Sequence, residues 1–239
     1  MKRVAILQSN YIPWKGYFDL IHDVDTLVFY DDVQYTTNDW RNRNRIKTAS
    51  GPQWLTIPVG KHMHRRICDV TLPWDGAWAE THWRRIEAAY RHTPYFPQYR
   101  DYFEALYRGR RSTSLSELNQ AFVMGICRDL LGVATRFEQS GDYALTGTKG
   151  ARVFDLLDQV GADVYVSGPA ARAYLTDDAF TARGMSVVWK DYSGYPEYPQ
   201  AHGPFRHDVS ILDLLFHTGP DAPWHIWGWR ETAARVVAA

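Results

Sequence analysis

The chain reads as an α/β protein: a Rossmann-like layered sheet, largely parallel, with a central helical insert. Two observations predict it. Short apolar strands alternate with amphipathic helices at both ends of the sequence, and their short links imply parallel crossovers. Between them, from Ala77 to Leu131, the apolar period turns helical. The 239 residues suffice for one large domain or two small ones. Three parts follow, 1–76, 77–132 and 133–239, expected to form one compact domain.

Residues 3–8 make a buried first strand, and 16–23 a helix ending near His22-Asp23. Thr26 to Tyr30 is a second strand that closes on Asp31-Asp32-Val33-Gln34-Tyr35. Arg45-Ile46-Lys47 and Gln53 to Val59 alternate around Ala49-Ser50-Gly51-Pro52, a hairpin with a long turn. Arg66 to Leu72 is expected to be another short strand. In the insert, Trp78, His82, Ile86, Ala89 and Tyr90 share one helix face, and Thr93-Pro94 breaks it. Tyr99, Phe103, Leu106 and Tyr107 define a second helix. Ser114 caps a third, which Gly132 stops. Alternation then resumes: a strand over 135–140, a helix from Lys149 to Val160 ended by Gly161, a strand over 163–168 running into Pro169 to Leu175, and a last strand over 185–189. Ser210 to Phe216 starts a closing helix.

Lys+Arg and Asp+Glu are both 27, so no global basic footprint for DNA exists. The two cysteines, Cys68 and Cys127, form no CxxC pair, which argues against a disulfide scaffold or structural zinc. The first apolar run is too short for a signal peptide, and none approaches a membrane span. A cytoplasmic protein without membrane contact is expected. Ten Trp and 15 Tyr, many in loop-like sequence, suit either an aromatic core or a half-wet cleft for a ring, a sugar or a base.

Three clusters fall at strand ends. The first is the break after the opening strand, with Gln8, Asn10, Tyr11, Trp14 and Lys15 packed into one turn where backbone donors converge. The second joins Asp31, Asp32 and Gln34 to Trp40-Arg41-Asn42-Arg43-Asn44-Arg45. Adjacent carboxylates on a strand point to opposite faces, so at most one faces a given pocket. An extended Arg-Asn-Arg-Asn-Arg row presents its guanidinium forks to one side, for anions or as a guarded edge. The third is Ser167-Gly168 with Arg172 and Tyr174, a hydroxyl and open backbone between strand and helix. Residues 165–169 lack the nucleophile-elbow frame, so Ser167 is not expected to be a nucleophile. His62-Met63-His64 has ligand spacing, but Lys61, Arg65 and Arg66 oppose a cation, and no metal centre is expected. His82 and His92 read as packing or capping residues.

Gln8-Ser9-Asn10-Tyr11-Ile12-Pro13-Trp14-Lys15-Gly16-Tyr17-Phe18, then Tyr30-Asp31-Asp32-Val33-Gln34-Tyr35, Trp40 to Ile46 and Trp54 to Val59 together resemble the WbqC-like family. Ala88-Ala89-Tyr90, Leu118-Asn119, Tyr165 to Gly168, Tyr174-Leu175 and Ser210 to Asp213 extend the resemblance to residue 219. It implies tailoring of polysaccharides or natural products, with glycine transfer to a surface-sugar repeat as one suggested activity. The expected reaction joins an aminoacyl group, glycyl first, to an amine of a sugar or small metabolite. The donor is activated by ATP and Mg²⁺ or arrives as an aminoacyl-tRNA, on a carrier protein or as an acyl thioester. An adenylate-forming ligase and a non-catalytic sugar- or nucleotide-binding protein are the alternatives. In this scheme Asn10, Asp32 and Arg43 are catalytic, Asp32 accepting the amine proton. Gln8, Tyr11, Trp14, Lys15, Asp31, Gln34, Trp40, Arg41, Asn42, Ser167, Gly168, Arg172 and Tyr174 bind substrate or phosphate.

Overall fold

The computed structural model describes residues 1–60, 64–73, 77–109 and 112–230. Five strands form one sheet: β1 (Arg3–Leu7), β2 (Thr26–Phe29), β5 (Arg136–Gln139), β6 (Val164–Ser167) and β7 (Ser186–Trp189). Their spatial order is β5-β2-β1-β6-β7, and all four pairings are parallel. The chain winds outward from β1 to one edge, then returns to β6 on β1's other side. The neighbours β1 and β6 are therefore the topological switch point, where such sheets open a crevice at their carboxyl ends.

Alternation along each strand sends side chains to two cores. Ala5, Leu27, Phe29 and Val166 pack on one face with α1 (Lys15–His22), α2 (Ala77–Tyr90), α3 (Phe96–Arg108), α4 (Leu115–Gly125) and α7 (Ile211–Thr218). Val4, Ile6, Val28 and Tyr165 pack on the other with α5 (Lys149–Val160) and α6 (Asp177–Thr181). Burial on both faces is why these strands read as nearly continuous apolar runs. The three central helices share the larger core with the sheet, under Trp83, Phe103 and Phe122. No helix among the described residues is long and apolar enough to cross a membrane.

Helix ends follow local chemistry. Ser114 Oγ accepts the Glu117 N–H at the start of α4, and Ser210 Oγ accepts the Leu212 N–H at the start of α7. Gly161 closes α5 at φ 72°, a left-handed geometry open to glycine without steric cost. Three segments depart from the sequence reading. The hairpin β3 (Arg43–Thr48) and β4 (Gly51–Thr56) pairs Thr48 with Gly51, so its loop is only Ala49-Ser50. Residues 66–72 are not a strand: a 3₁₀ turn spans Ile67–Asp69, flanked by single bridges Gln34 to Arg66 and Thr71 to Ser114. The chain beyond β6 turns into a 3₁₀ helix over Pro169–Ala173. His62 and Met63 lie outside the described residues.

Candidate functional site

The opening run leaves β1 at the switch point and splits by direction. Gln8 and Asn10 turn toward the sheet's carboxyl edge. There they line a cleft of about 380 Å³ with Tyr17, Tyr30, Arg41, Ser167, Gly168 and Tyr174. An outer hollow of about 780 Å³, lined by Asp32, Gln34, Thr148, Lys149 and Arg152, shares Tyr30, Val153 and Tyr174 with it. A side pocket of about 250 Å³ shares Asn10 and is walled by Pro13, Trp14, Trp40 and Arg45. Seven expected residues thus meet around Asn10: Gln8, Arg41, Ser167, Gly168 and Tyr174 in the cleft, with Trp14 and Trp40 beside it.

The turn that separates these directions is strained. Ile12 sits at φ 36°, where a β-branched residue is a genuine outlier. Asn44 Nδ2 holds it there, donating to the carbonyls of Tyr11 (3.1 Å) and Ile12 (2.9 Å). The Tyr11 N–H donates to the Trp40 carbonyl at 2.9 Å. Strain kept by such over-determination is typical of sites. Gly16 serves the same turn: a Cβ there would meet the Trp14 indole at 2.3 Å.

Arg41 is the cation of the cleft. Its Nη1 donates to Asn10 Oδ1 at 2.7 Å, and its Nη2 lies 3.3 Å from Asp39. Its Nε is buried and, among the described residues, has no partner; the same holds for Nε of Arg43 and Arg45. Beyond Arg41, the row presents Arg43 and Arg45 to indoles rather than to the cleft. Arg43 lies 4.3 Å over the Trp54 ring, and Arg45 lies 5.1 Å from it while pairing with Asp208 at 2.8 Å.

Several expected site residues are placed elsewhere. Tyr11 is fully buried in the core, where its hydroxyl meets His82 Nδ1 at 2.8 Å and Tyr107 at 2.6 Å. Burial pushes the His82 imidazole down to about 4, so it packs as a neutral ring. Asp31 is buried and accepts from the Ser9 N–H at 2.8 Å, the Gln120 amide at 3.0 Å and the Ser116 hydroxyl. It anchors the opening loop instead of facing ligand. Asn42 is buried, donating to the Ile57 carbonyl at 2.9 Å. Lys15 enters α1 facing away from the cleft, with Nζ 4.8 Å from the Tyr195 ring and 5.5 Å from that of Tyr198. Burial lowers its ammonium to about 8. Arg172 lies over Trp189 at 5.3 Å.

Asp32 does face the outer hollow, but both oxygens are engaged by Arg152 and one also by Ser140 Oγ. Partial burial raises its carboxyl, yet these hydrogen bonds prevail and hold it below the usual range. A carboxylate so stabilised is a weak base, so proton acceptance from an amine does not suit it. Gln34 also lines this hollow.

The sequence reading missed Tyr30, Arg152, Trp54 and Asp208. Trp54 carried a signal, because cross-strand register sets it opposite Arg45. Arg152 lies one turn into α5 and reaches Asp32 across 120 residues, which no local pattern shows.

These features define a layered parallel α/β protein with a polar cleft at its topological switch point, a class that takes small ligands at strand carboxyl ends. The chain belongs to the WbqC-like protein family, whose model matches residues 8–224. It is 47% identical over 226 residues to a protein of Mycobacterium tuberculosis (strain ATCC 25618 / H37Rv) named "Uncharacterized protein Rv1507c"; the match covers 93% of this chain and 96% of that relative. No solved structure matches the chain.

Proposed function

We propose that the protein is a biosynthetic group-transfer enzyme that binds an activated aminoacyl donor in the switch-point cleft and passes the acyl group to an amine of a sugar or small metabolite. The observation that supports this most is Arg41, oriented by Asn10 at the carboxyl ends of β1 and β6. A fixed guanidinium beside neutral amides and a Ser-Gly backbone suits a phosphate or an acyl oxygen on which charge develops. In the transfer, the amine attacks the acyl carbon, the new C–N bond forms, and the bond to the carrier oxygen or sulfur breaks. The amine proton leaves to solvent. Asp31 and Asp32 are both held in hydrogen-bonded structural roles, so rate acceleration rests on positioning and electrostatics.

Strand order favours one route for activation. A parallel sheet wound to both sides of β1 is a nucleotide-binding arrangement, which supports an adenylating version using ATP and Mg²⁺. There the amino acid carboxylate attacks the α-phosphorus and pyrophosphate leaves. The alternative donors are glycyl-tRNA, a carrier-bound ester and a thioester. Glycine-dependent exchange of labelled pyrophosphate into ATP is the expected result for the first route. Transfer to an amino sugar from a preformed glycyl ester or thioester is expected for the others. Lack of exchange together with lack of transfer from every one of these donors contradicts the proposal.

A further inference from the structure

The side pocket beyond Asn10 differs in chemistry from the cleft. Its walls are the Trp14 and Trp40 indoles and Pro13, and its rim is Asn10, Arg45 and Asp208. Trp40 is half exposed and leans on Trp54, with ring centroids 5.5 Å apart. Arg45 lies 5.7 Å from the Trp40 ring, so an aromatic shelf with a charged edge is already assembled. Asn10 spends its Oδ1 on Arg41, and among the described residues its Nδ2 has no partner, leaving an amide donor on the wall between the two spaces. Asp208 is an acceptor: hydrogen bonds from Arg206 hold its carboxyl below the usual range, with Arg45 contributing.

We propose that this pocket is the acceptor subsite and takes a single pyranose ring, that of an amino sugar. This rests on the group-transfer reading above. A pyranose has an apolar C–H face and a rim of hydroxyls that both donate and accept. The pocket offers the matching pair: indole faces for the ring, and donors at Asn10 and Arg45 alternating with an acceptor at Asp208. Size sets the occupant further. At about 250 Å³ the pocket lies below the ~300–1,000 Å³ of drug-sized sites, enough for one ring and not for a nucleotide. Because Asn10 lines both spaces, an edge of the bound ring borders the donor cleft, where its amine reaches the acyl carbon.

The test is calorimetric titration of the full chain with the methyl glycosides of glucosamine and galactosamine. Wild type, Trp40→Ala and Asp208→Asn are compared, with thermal melts to verify that each is folded. At least one glycoside is expected to bind wild type in the millimolar range, and both variants to bind it at least about tenfold more weakly. Excess adenosine is expected not to displace the sugar. Failure of both glycosides to bind, equal affinity in folded variants, or displacement by adenosine would overturn the assignment, the last making the pocket a base subsite. Pyrophosphate exchange in wild type needs no acceptor, so it reports the donor reading separately. Sugar binding that depends on Trp40, in a protein lacking exchange and transfer, leaves the subsite intact and removes the reaction.

Discussion

Two polar regions of this molecule use the same residue types and end differently. On α1, Asp19 is fully buried and every oxygen is engaged: Lys190 Nζ at 2.8 Å, Arg230 Nη1 at 2.8 Å and 3.0 Å, and the Tyr195 hydroxyl. Lys190 also reaches Asp23. At the switch point, Arg41 has one amide and one carboxylate, while its Nε stays buried without a partner among the described residues. A buried charge whose bonding capacity is met holds the fold together; one with capacity left over that also lines a cleft, as Arg41 does and Arg43 does not, is available to a ligand. The contrast separates a structural knot from a candidate site, although both are dense in charge.

Breaking the knot should have the largest effect on stability. Asp19→Ala leaves Lys190 and Arg230 without their shared anion, and is expected to lower the unfolding free energy by about 3–5 kcal/mol in urea titrations. Arg41→Ala should do the reverse. Its melting midpoint is expected to correspond to a loss within about 1 kcal/mol, while glycyl transfer or exchange falls by about 10²–10³. Equal losses of stability in these two variants would erase the distinction. Asp31→Asn, which weakens the anchor of the opening loop, is expected between them in stability, at about 1–3 kcal/mol, read in the same titration.

The smallest effect concerns Lys15, beside the knot and without a carboxylate within hydrogen-bonding reach among the described residues. Burial lowers its pKa from 10.5 to about 8 in the folded protein. Between those values the unfolded chain binds more protons than the folded one, so stability due to this group rises with pH through that window. Below about 8 the buried ammonium carries its full cost. Lys15→Met is expected to flatten the rise, visible as a smaller gain in melting temperature between about pH 7.5 and about pH 9.5, across the lower part of that window. A gain identical to wild type would contradict the buried ammonium.

Much of this was legible locally. The bounds of α5 follow from its apolar spacing and Gly161, and the start of α4 from Ser114 as its cap. The parallel sheet follows from short links between strand and helix. The site was legible only as a neighbourhood. Gln8, Asn10 and Trp14 are legible as candidates because a strand end exposes whatever follows it. Tyr11 and Lys15 stand among them in sequence, yet the Ile12 turn sends one into the core and the other into an aromatic nest formed by Tyr195 and Tyr198. That reversal depends on Asn44, some thirty residues on, which no local pattern reveals. Asp31 and Asp32 show the same limit. Alternation gives their opposite directions, but only the tertiary structure supplies Ser116, Gln120 and Arg152 to engage them.

Under the proposed function, the spare capacity of Arg41 is for an activated aminoacyl donor. The most direct measurement is a crystal structure with the sulfamoyl analogue of glycyl-adenylate, which cannot be hydrolysed, with the amide analogue of 3′-glycyl-adenosine, and with the amide analogue of S-glycyl-pantetheine. At least one of them is expected in the cleft between Gln8, Arg41 and Ser167, with a sulfamoyl or carbonyl oxygen on the Arg41 guanidinium. A cleft that stays empty with all three analogues at saturating concentration, or an analogue bound in the outer hollow away from Arg41, would contradict it.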